Sequence, residues 1–168
     1  MIPEPPWDRV QFQRQQMSQR CLYRIREVDG GDEEISETLI DLHRLTFFES
    51  APLPPFDWGH WWLAFHENMP VGFAGLVPST HAENAGYFCR VGVTKKHCGN
   101  SLQFRFMRAL ELRARRNGWS SVVSDTTENV VSANNFIRAG YQLYRPREPW
   151  GWPHTLYWRK PIGGTRCG

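Results

Sequence analysis

The chain has 168 residues, the size of one ordinary domain, and its 40% hydrophobic and 22% charged content excludes wholesale disorder. A net charge of +3, from 20 basic and 17 acidic residues, suits an anionic ligand but is too small to argue for a nucleic-acid binder. The four cysteines, Cys21, Cys89, Cys98 and Cys167, lack the CxxC spacing of a zinc site or disulfide framework, so no metal is expected.

Residues 1–20 are predicted to form an arm, flexible or packed on another subunit. Pro3, Pro5 and Pro6 block regular structure there, and no apolar stretch suggests a secretory leader. No run is long enough to span a membrane. The expectation is a reduced, cytoplasmic protein with no membrane partner. Residues 21–168 are expected to be one domain.

Residues 21–28 alternate as a strand, stopped by Asp29, Gly30 and Gly31. A helix is predicted over 33–47, with Ile35, Leu39, Leu42 and Thr46 on one face. The Pro/Gly-rich stretch 50–59 is a loop. A hairpin follows, with strands 61–66 and 71–77 and a turn over 67–70. After a loop over 78–86, residues 87–93 make a further strand. The spacing then predicts a helix over 101–117, with Leu102, Phe106, Ala109 and Leu110 inward and Glu111 outward. Gly118 ends it. A strand over 120–125, a short helix over 132–139 ending at Gly140, and strands over 141–144 and 155–160 complete the chain. A loop rich in Pro, Trp and Gly joins the last two. This order predicts an α/β domain with a central sheet covered by helices.

The most informative stretch runs from Arg90 to Gln103. A strand enters a basic, glycine-containing turn that opens a helix. Free backbone N–H groups and the helix dipole favour an anion there, and Lys95, Lys96 and His97 add charge. The geometry suits a pyrophosphate. No Walker A sequence is present, and no GxGxxG follows a strand.

These elements and this turn resemble the GNAT acetyltransferases, whose cofactor motif reads Arg/Gln-x-x-Gly-x-Gly/Ala. The preferred register is Cys98-Gly99-Asn100-Ser101-Leu102-Gln103, which departs from the pattern at Cys98, Ser101 and Gln103. A register over Lys96 to Ser101 matches more letters but misplaces the apolar stripe of the helix. Tyr23 to Glu27 resembles the family's first strand, and Pro70 to Leu76 resembles its hairpin. Asn129 to Tyr141 resembles its Asn-x-x-Ala/Ser-x-x-x-Tyr-x-x-x-Gly-Phe segment. The resemblance covers about residues 21–160.

The resemblance implies a GNAT-type, mixed and mostly antiparallel sheet. It implies an N-acetyltransferase that moves an acetyl group directly from acetyl-CoA, its donor substrate, to a primary amine of a small molecule or protein. Val91, Gly92 and Val93 would pair with the pantetheine arm, and the amides of Cys98 to Gln103 would hold the pyrophosphate. Asn129 would bond the pantetheine, with Ser132 and Asn135 near the arm; Asn129 also suits a helix cap. The family's tyrosine acid falls on Phe136, which cannot donate a proton. Tyr141, Tyr144 and Cys89 are the alternative donors, with Tyr141 taken as the catalytic one. Glu49 leads the candidates for the base, ahead of His60, His66 and Glu83.

Phe47, Phe48, Phe56, Trp58, Trp61 and Trp62 are expected around the acceptor side, some as core and some as pocket, with Trp150 and Trp152 as an opposite wall. The aromatic content leaves a homodimer open. The competing reading is a catalytically degenerate member that binds acetyl-CoA or a protein partner.

Overall fold

The elements form where hydrophobic periodicity places them, with ends set by local capping. The computed structural model describes residues 22–163; the arm over 1–20, Cys21 and Cys167 lie outside the described residues. Strand β1 is Tyr23–Val28 and helix α1 is Glu33–Thr46. Asp32 caps α1 by accepting from the Ile35 N–H at 3.1 Å. Strands β2 (His60–His66) and β3 (Met69–Pro78) form the hairpin, followed by β4 (Ala85–Val93). The hairpin turn is tighter than expected. His66 pairs with Met69, so only Glu67 and Asn68 remain, both at positive φ, as a two-residue turn between twisted strands requires.

After β4 comes a single 3-10 turn, Lys95–His97, then α2 (Leu102–Arg116), β5 (Ser121–Thr126), α3 (Val130–Arg138), β6 (Gln142–Leu143) and β7 (Leu156–Pro161). Helix α3 starts two residues earlier than periodicity predicts. The Asn129 side chain accepts from the Ser132 N–H at 2.9 Å and draws Val130 and Val131 into the first turn.

The chain is thus one α/β domain with a seven-stranded sheet in the order β1-β2-β3-β4-β5-β7-β6. All neighbours are antiparallel except β4 and β5. Alternation along the strands feeds two cores. Trp62, Ala64 and Ala74 pack with Phe106 and Leu110 of α2 on one face. Trp61, Leu63 and Phe73 pack with Leu39 and Leu42 of α1 on the other.

Glu111 corrects the expected wet face of α2. It is 6% exposed, and the Lys160 ammonium lies 3.0 Å from both its oxygens and donates to the Ala139 carbonyl at 2.7 Å. The α2 periodicity could not reveal this, because the partners come from β7 and the end of α3.

Candidate active site

The site begins where the sheet stops being continuous. Strands β4 and β5 pair only from Ala85↔Ser121 to Tyr87↔Val123 and then separate. The Thr94 N–H donates to the Val71 carbonyl at 2.9 Å beside the Val93↔Gly72 pair. Alternation in an antiparallel ladder therefore turns the backbone groups of Gly92 toward β3 and those of Val91 and Val93 toward the open edge. Gly92 has no room for a side chain: a Cβ there would lie 2.2 Å from Thr46 Oγ1 and 2.6 Å from Phe73 Cε1.

Beyond this edge lies a cleft of about 400 Å³ lined by Val91, Gly92 and Val93, by Cys98, Gly99, Ser101, Leu102 and Gln103, and by Asn129, Ser132 and Asn135. Gly99 has φ +81°, and a Cβ there would meet no atom within 4 Å. Ser101 is also left-handed, at φ 58°, and this bends the chain into α2. The first turn of α2 carries no acidic residue. The Arg105 N–H is bonded to the Ser101 carbonyl at 3.2 Å; the N–H groups before it belong to the helix end that has no intrahelical acceptors. The N-terminal turn of α2, whose first amides lack intrahelical acceptors, thus lines the cleft beside an open strand edge. Asn100 is the one residue of the 98–103 turn that does not line it; its amide donates to the His97 carbonyl at 3.0 Å and braces the turn.

The polar residues of α2 and α3 are already connected. Gln103 donates to Ser132 Oγ at 2.9 Å and accepts from the Asn135 amide at 2.8 Å. Gln103 stands where the resembled motif has a small residue, and its longer side chain ties the two helix starts together. Phe136 is 2% exposed and stacks on Trp158 with ring centroids 5.5 Å apart. It reaches the second cleft rather than the first.

That second cleft, about 850 Å³, shares Val91, Asn129 and Ser132 with the first. Phe47 and Phe48 form one wall and Trp150 and Trp152 another, with Arg90, Asp125 and Glu128 as charged groups. Of the other expected aromatic residues, Phe56, Trp61 and Trp62 are core, and Trp58 is half exposed. Asp125 was missed in the sequence. Its Oδ1 accepts from the Tyr87 hydroxyl at 2.5 Å and from Trp150 Nε1 at 2.9 Å. The available signal was a carboxylate near the C-terminal end of an otherwise uncharged strand, where ligands gather in open α/β sheets. Burial and the Asp125 charge push the Tyr87 phenol far above its ordinary range, so it stays protonated and donates.

The expected catalytic pair is not brought together. Glu49 is exposed and lines neither cleft. Tyr141 is 3% exposed, with its ring 5.0 Å from Phe136 and 5.5 Å from the Lys160 ammonium. Burial, with Glu111 nearby, raises its pKa well above the usual tyrosine value. It lines neither cleft, so the structure does not bring it to the donor residues expected beside it. Tyr144 lines a separate depression with Glu83. Cys89 does reach the second cleft, and burial pushes its thiol up to about 12. His60 is engaged by Glu27 and Asn117, and His66 packs on Tyr23 and His97.

The pattern of the acetyltransferase (GNAT) family matches residues 32–141, so the chain belongs to this family. Solved structures agree in fold. An aminoglycoside 6'-acetyltransferase type Ii superposes with a TM-score of 0.68 at 19% identity, covering 84% of this chain and 98% of that one. A GNAT-family acetyltransferase from Staphylococcus aureus gives 0.66 at 14%, covering 83% and 100%. An acetyltransferase from Bacillus subtilis, solved in complex with CoA, gives 0.64 at 11%, covering 83% and 99%. The comparison with curated proteins found no match. No helix among the described residues is long and apolar enough to cross a membrane.

Proposed function

We propose that the protein is an N-acetyltransferase that moves the acetyl group of acetyl-CoA directly to a primary amine. The observation that carries this reading is the meeting of two unlike clefts at Val91, Asn129 and Ser132, beside the split between β4 and β5. The smaller cleft suits the donor. The amides of Cys98 to Gln103 at the start of α2 hold the pyrophosphate, with the Asn100 side chain bracing the turn. Val91 and Val93 pair with the pantetheine as an added strand, with Gly92 between them. Asn129, Ser132 and Asn135 supply hydrogen bonds along the arm, and Phe136 closes the acetyl end as an apolar wall. The solved relative bound to CoA supports this choice of donor.

The larger cleft receives the amine. Asp125, fixed by Tyr87 and Trp150, takes the proton that must leave the ammonium, directly or through water. The amine nitrogen then attacks the thioester carbonyl; as the carbonyl re-forms and the carbon–sulfur bond breaks, the nitrogen gives its second proton to solvent and the thiolate takes one from solvent, leaving the amide and free CoA thiol. A β4 N–H stabilises the oxygen as it gains charge. With both reactants held in place, proximity provides much of the rate.

Thermal unfolding with and without acetyl-CoA, with thiol release followed across a panel of amines, tests this. A raised melting temperature with thiol release supports the enzyme. A raised temperature with no release from any amine favours the degenerate reading, for which Phe136 in place of a proton donor is the specific observation. No shift at saturating acetyl-CoA refutes the donor site.

A further inference from the structure

The acceptor cleft holds an arginine whose charge no other described residue answers. Arg90 lies on β4 and lines the cleft. Its guanidinium sits 5.4 Å from the centroid of the Phe47 ring, and one Nη donates to the Cys89 carbonyl at 3.0 Å. Its Nε is buried without an acceptor. Arg90 belongs to none of the ion pairs among the described residues. A guanidinium has five N–H donors in a fork that matches a carboxylate. Leaving such a group half-buried and unpaired is costly unless something else supplies the anion.

The neighbours of Arg90 do not supply it. His43 stacks on Phe47 with centroids 4.7 Å apart, and Cys89 is a buried thiol; neither carries negative charge. Across the cleft, Asp125 uses Oδ1 for both Tyr87 and Trp150. Its Oδ2 takes no bond from the described residues. The cleft therefore offers a cation site on one strand and an anion site on the other, between aromatic walls.

Resting on the acetyltransferase reading above, we infer that the acceptor is a zwitterion, an aromatic or apolar primary amine that also carries a carboxylate. The ammonium goes to Asp125 and the carboxylate to Arg90. A singly charged group fits better than a phosphate, because Asp125 and Glu128 would repel a second negative charge in the same cleft. The Arg90 fork sets the orientation of the acceptor, and the aromatic walls bury its body. Arg90 is thus a specificity residue for the acceptor and takes no part in donor binding.

Matched pairs of acceptors test this: phenylalanine with phenethylamine, tryptophan with tryptamine, and 4-(aminomethyl)benzoate with benzylamine. Thiol release gives kcat/KM for the wild type, Arg90→Gln and Arg90→Lys. The expected result is a preference of at least about tenfold for the carboxylate member of one or more pairs. That preference collapses in Arg90→Gln and falls partway in Arg90→Lys, which keeps the charge but loses the fork. The melting-temperature shift given by acetyl-CoA stays at its wild-type size, which also confirms that the variants fold.

Equal or better use of the plain amines throughout would overturn the inference and leave the acetyltransferase reading standing. So would a weakening of acetyl-CoA binding in Arg90→Gln, which would make Arg90 a donor residue. Calorimetric titration of the same compounds into CoA-saturated protein decides the case without turnover. Binding of the carboxylates that Arg90→Gln abolishes supports the inference even where acetyl transfer fails, and no carboxylate binding overturns it.

Discussion

Asn129 has an observed role and a proposed one, and substitution separates them. Its side chain accepts from the Ser132 N–H at 2.9 Å, serving one of the N–H groups that the start of α3 leaves without an intrahelical partner. Asn129→Ala removes that acceptor at a cost of about 1 kcal/mol. For a chain of this size that lowers the melting temperature by about 2–4 °C. Asn129→Ser keeps a capping oxygen and should unfold within about 1 °C of the wild type, since serine caps as well as asparagine. Serine has no amide N–H to offer the pantetheine. If Asn129 also bonds the donor, Asn129→Ser therefore raises the KM for acetyl-CoA about fivefold, the worth of one neutral hydrogen bond. Scanning fluorimetry gives the first quantity and thiol release the second. A wild-type KM in Asn129→Ser would reduce Asn129 to a helix cap. A wild-type melting temperature in Asn129→Ala would refute the capping argument itself.

Three further outcomes follow from the same packing. Gly92→Ala forces a methyl group against Thr46 and Phe73; we expect a loss of about 1–3 kcal/mol by chemical denaturation, with a raised KM for acetyl-CoA because the Val91–Val93 edge shifts. Iodoacetamide at about pH 8, read by peptide mass spectrometry, should label exposed Cys98 and spare Cys89, which burial holds as a thiol up to about 12. Burial, and secondarily the Arg90 charge, lowers the His43 pKa below 6.5. As pH falls through that value the unfolded chain takes up the proton first, so stability is lost on acidification. Melting temperatures between about pH 7 and about pH 5 should fall more steeply for the wild type than for His43→Phe, and parallel curves would remove His43 from the account.

The fold was legible in the sequence because each element carries its own signal. The alternation in Trp61 to Ala64 assigns those residues to opposite faces, and the stripe of Leu102, Phe106 and Leu110 sets the inner face of α2. That the residues lining the smaller cleft, the proposed donor site, would gather was legible for a related reason. They lie in two short segments, 91–103 and 129–135, and each holds a local backbone feature: the end of a strand, a turn with left-handed residues, a cap. The charged groups of the larger cleft, the proposed acceptor site, have no such local signal. The aromatic walls of that cleft, Phe47 with Phe48 and Trp150 with Trp152, were expected from their density in the loops, but the charged pair was not: Arg90 and Asp125 sit on two strands, β4 and β5, that are far apart in sequence. Glu111 was misread in the same way, since its ion pair spans α2 and β7. Tyr141 was chosen as a nearby hydroxyl to replace the proton donor that Phe136 cannot be. Nearness in sequence does not report that the Phe136 and Lys160 side chains pack against its ring.

The choice between Asp125 and Glu49 as the base is therefore a test of three-dimensional against sequence proximity. Glu49 follows α1 and lies one residue from Phe48, yet its side chain is exposed and outside both clefts. A base must come within hydrogen-bond reach of the amine, or within one water of it. Asp125 meets that condition for an acceptor in the larger cleft, and its two donors hold it in a single orientation. Asp125→Asn keeps the shape and the capacity to accept from Tyr87 and Trp150, and removes the charge. We expect kcat/KM for the amine to fall about 10²- to 10⁴-fold, with the acetyl-CoA thermal shift unchanged. Glu49→Gln should change kcat/KM by less than about threefold, as for an ordinary surface position. The reverse pattern would mean that the loop after α1 moves into the cleft when acceptor binds, which would make Glu49 the base and leave Asp125 as a support for the Trp150 loop.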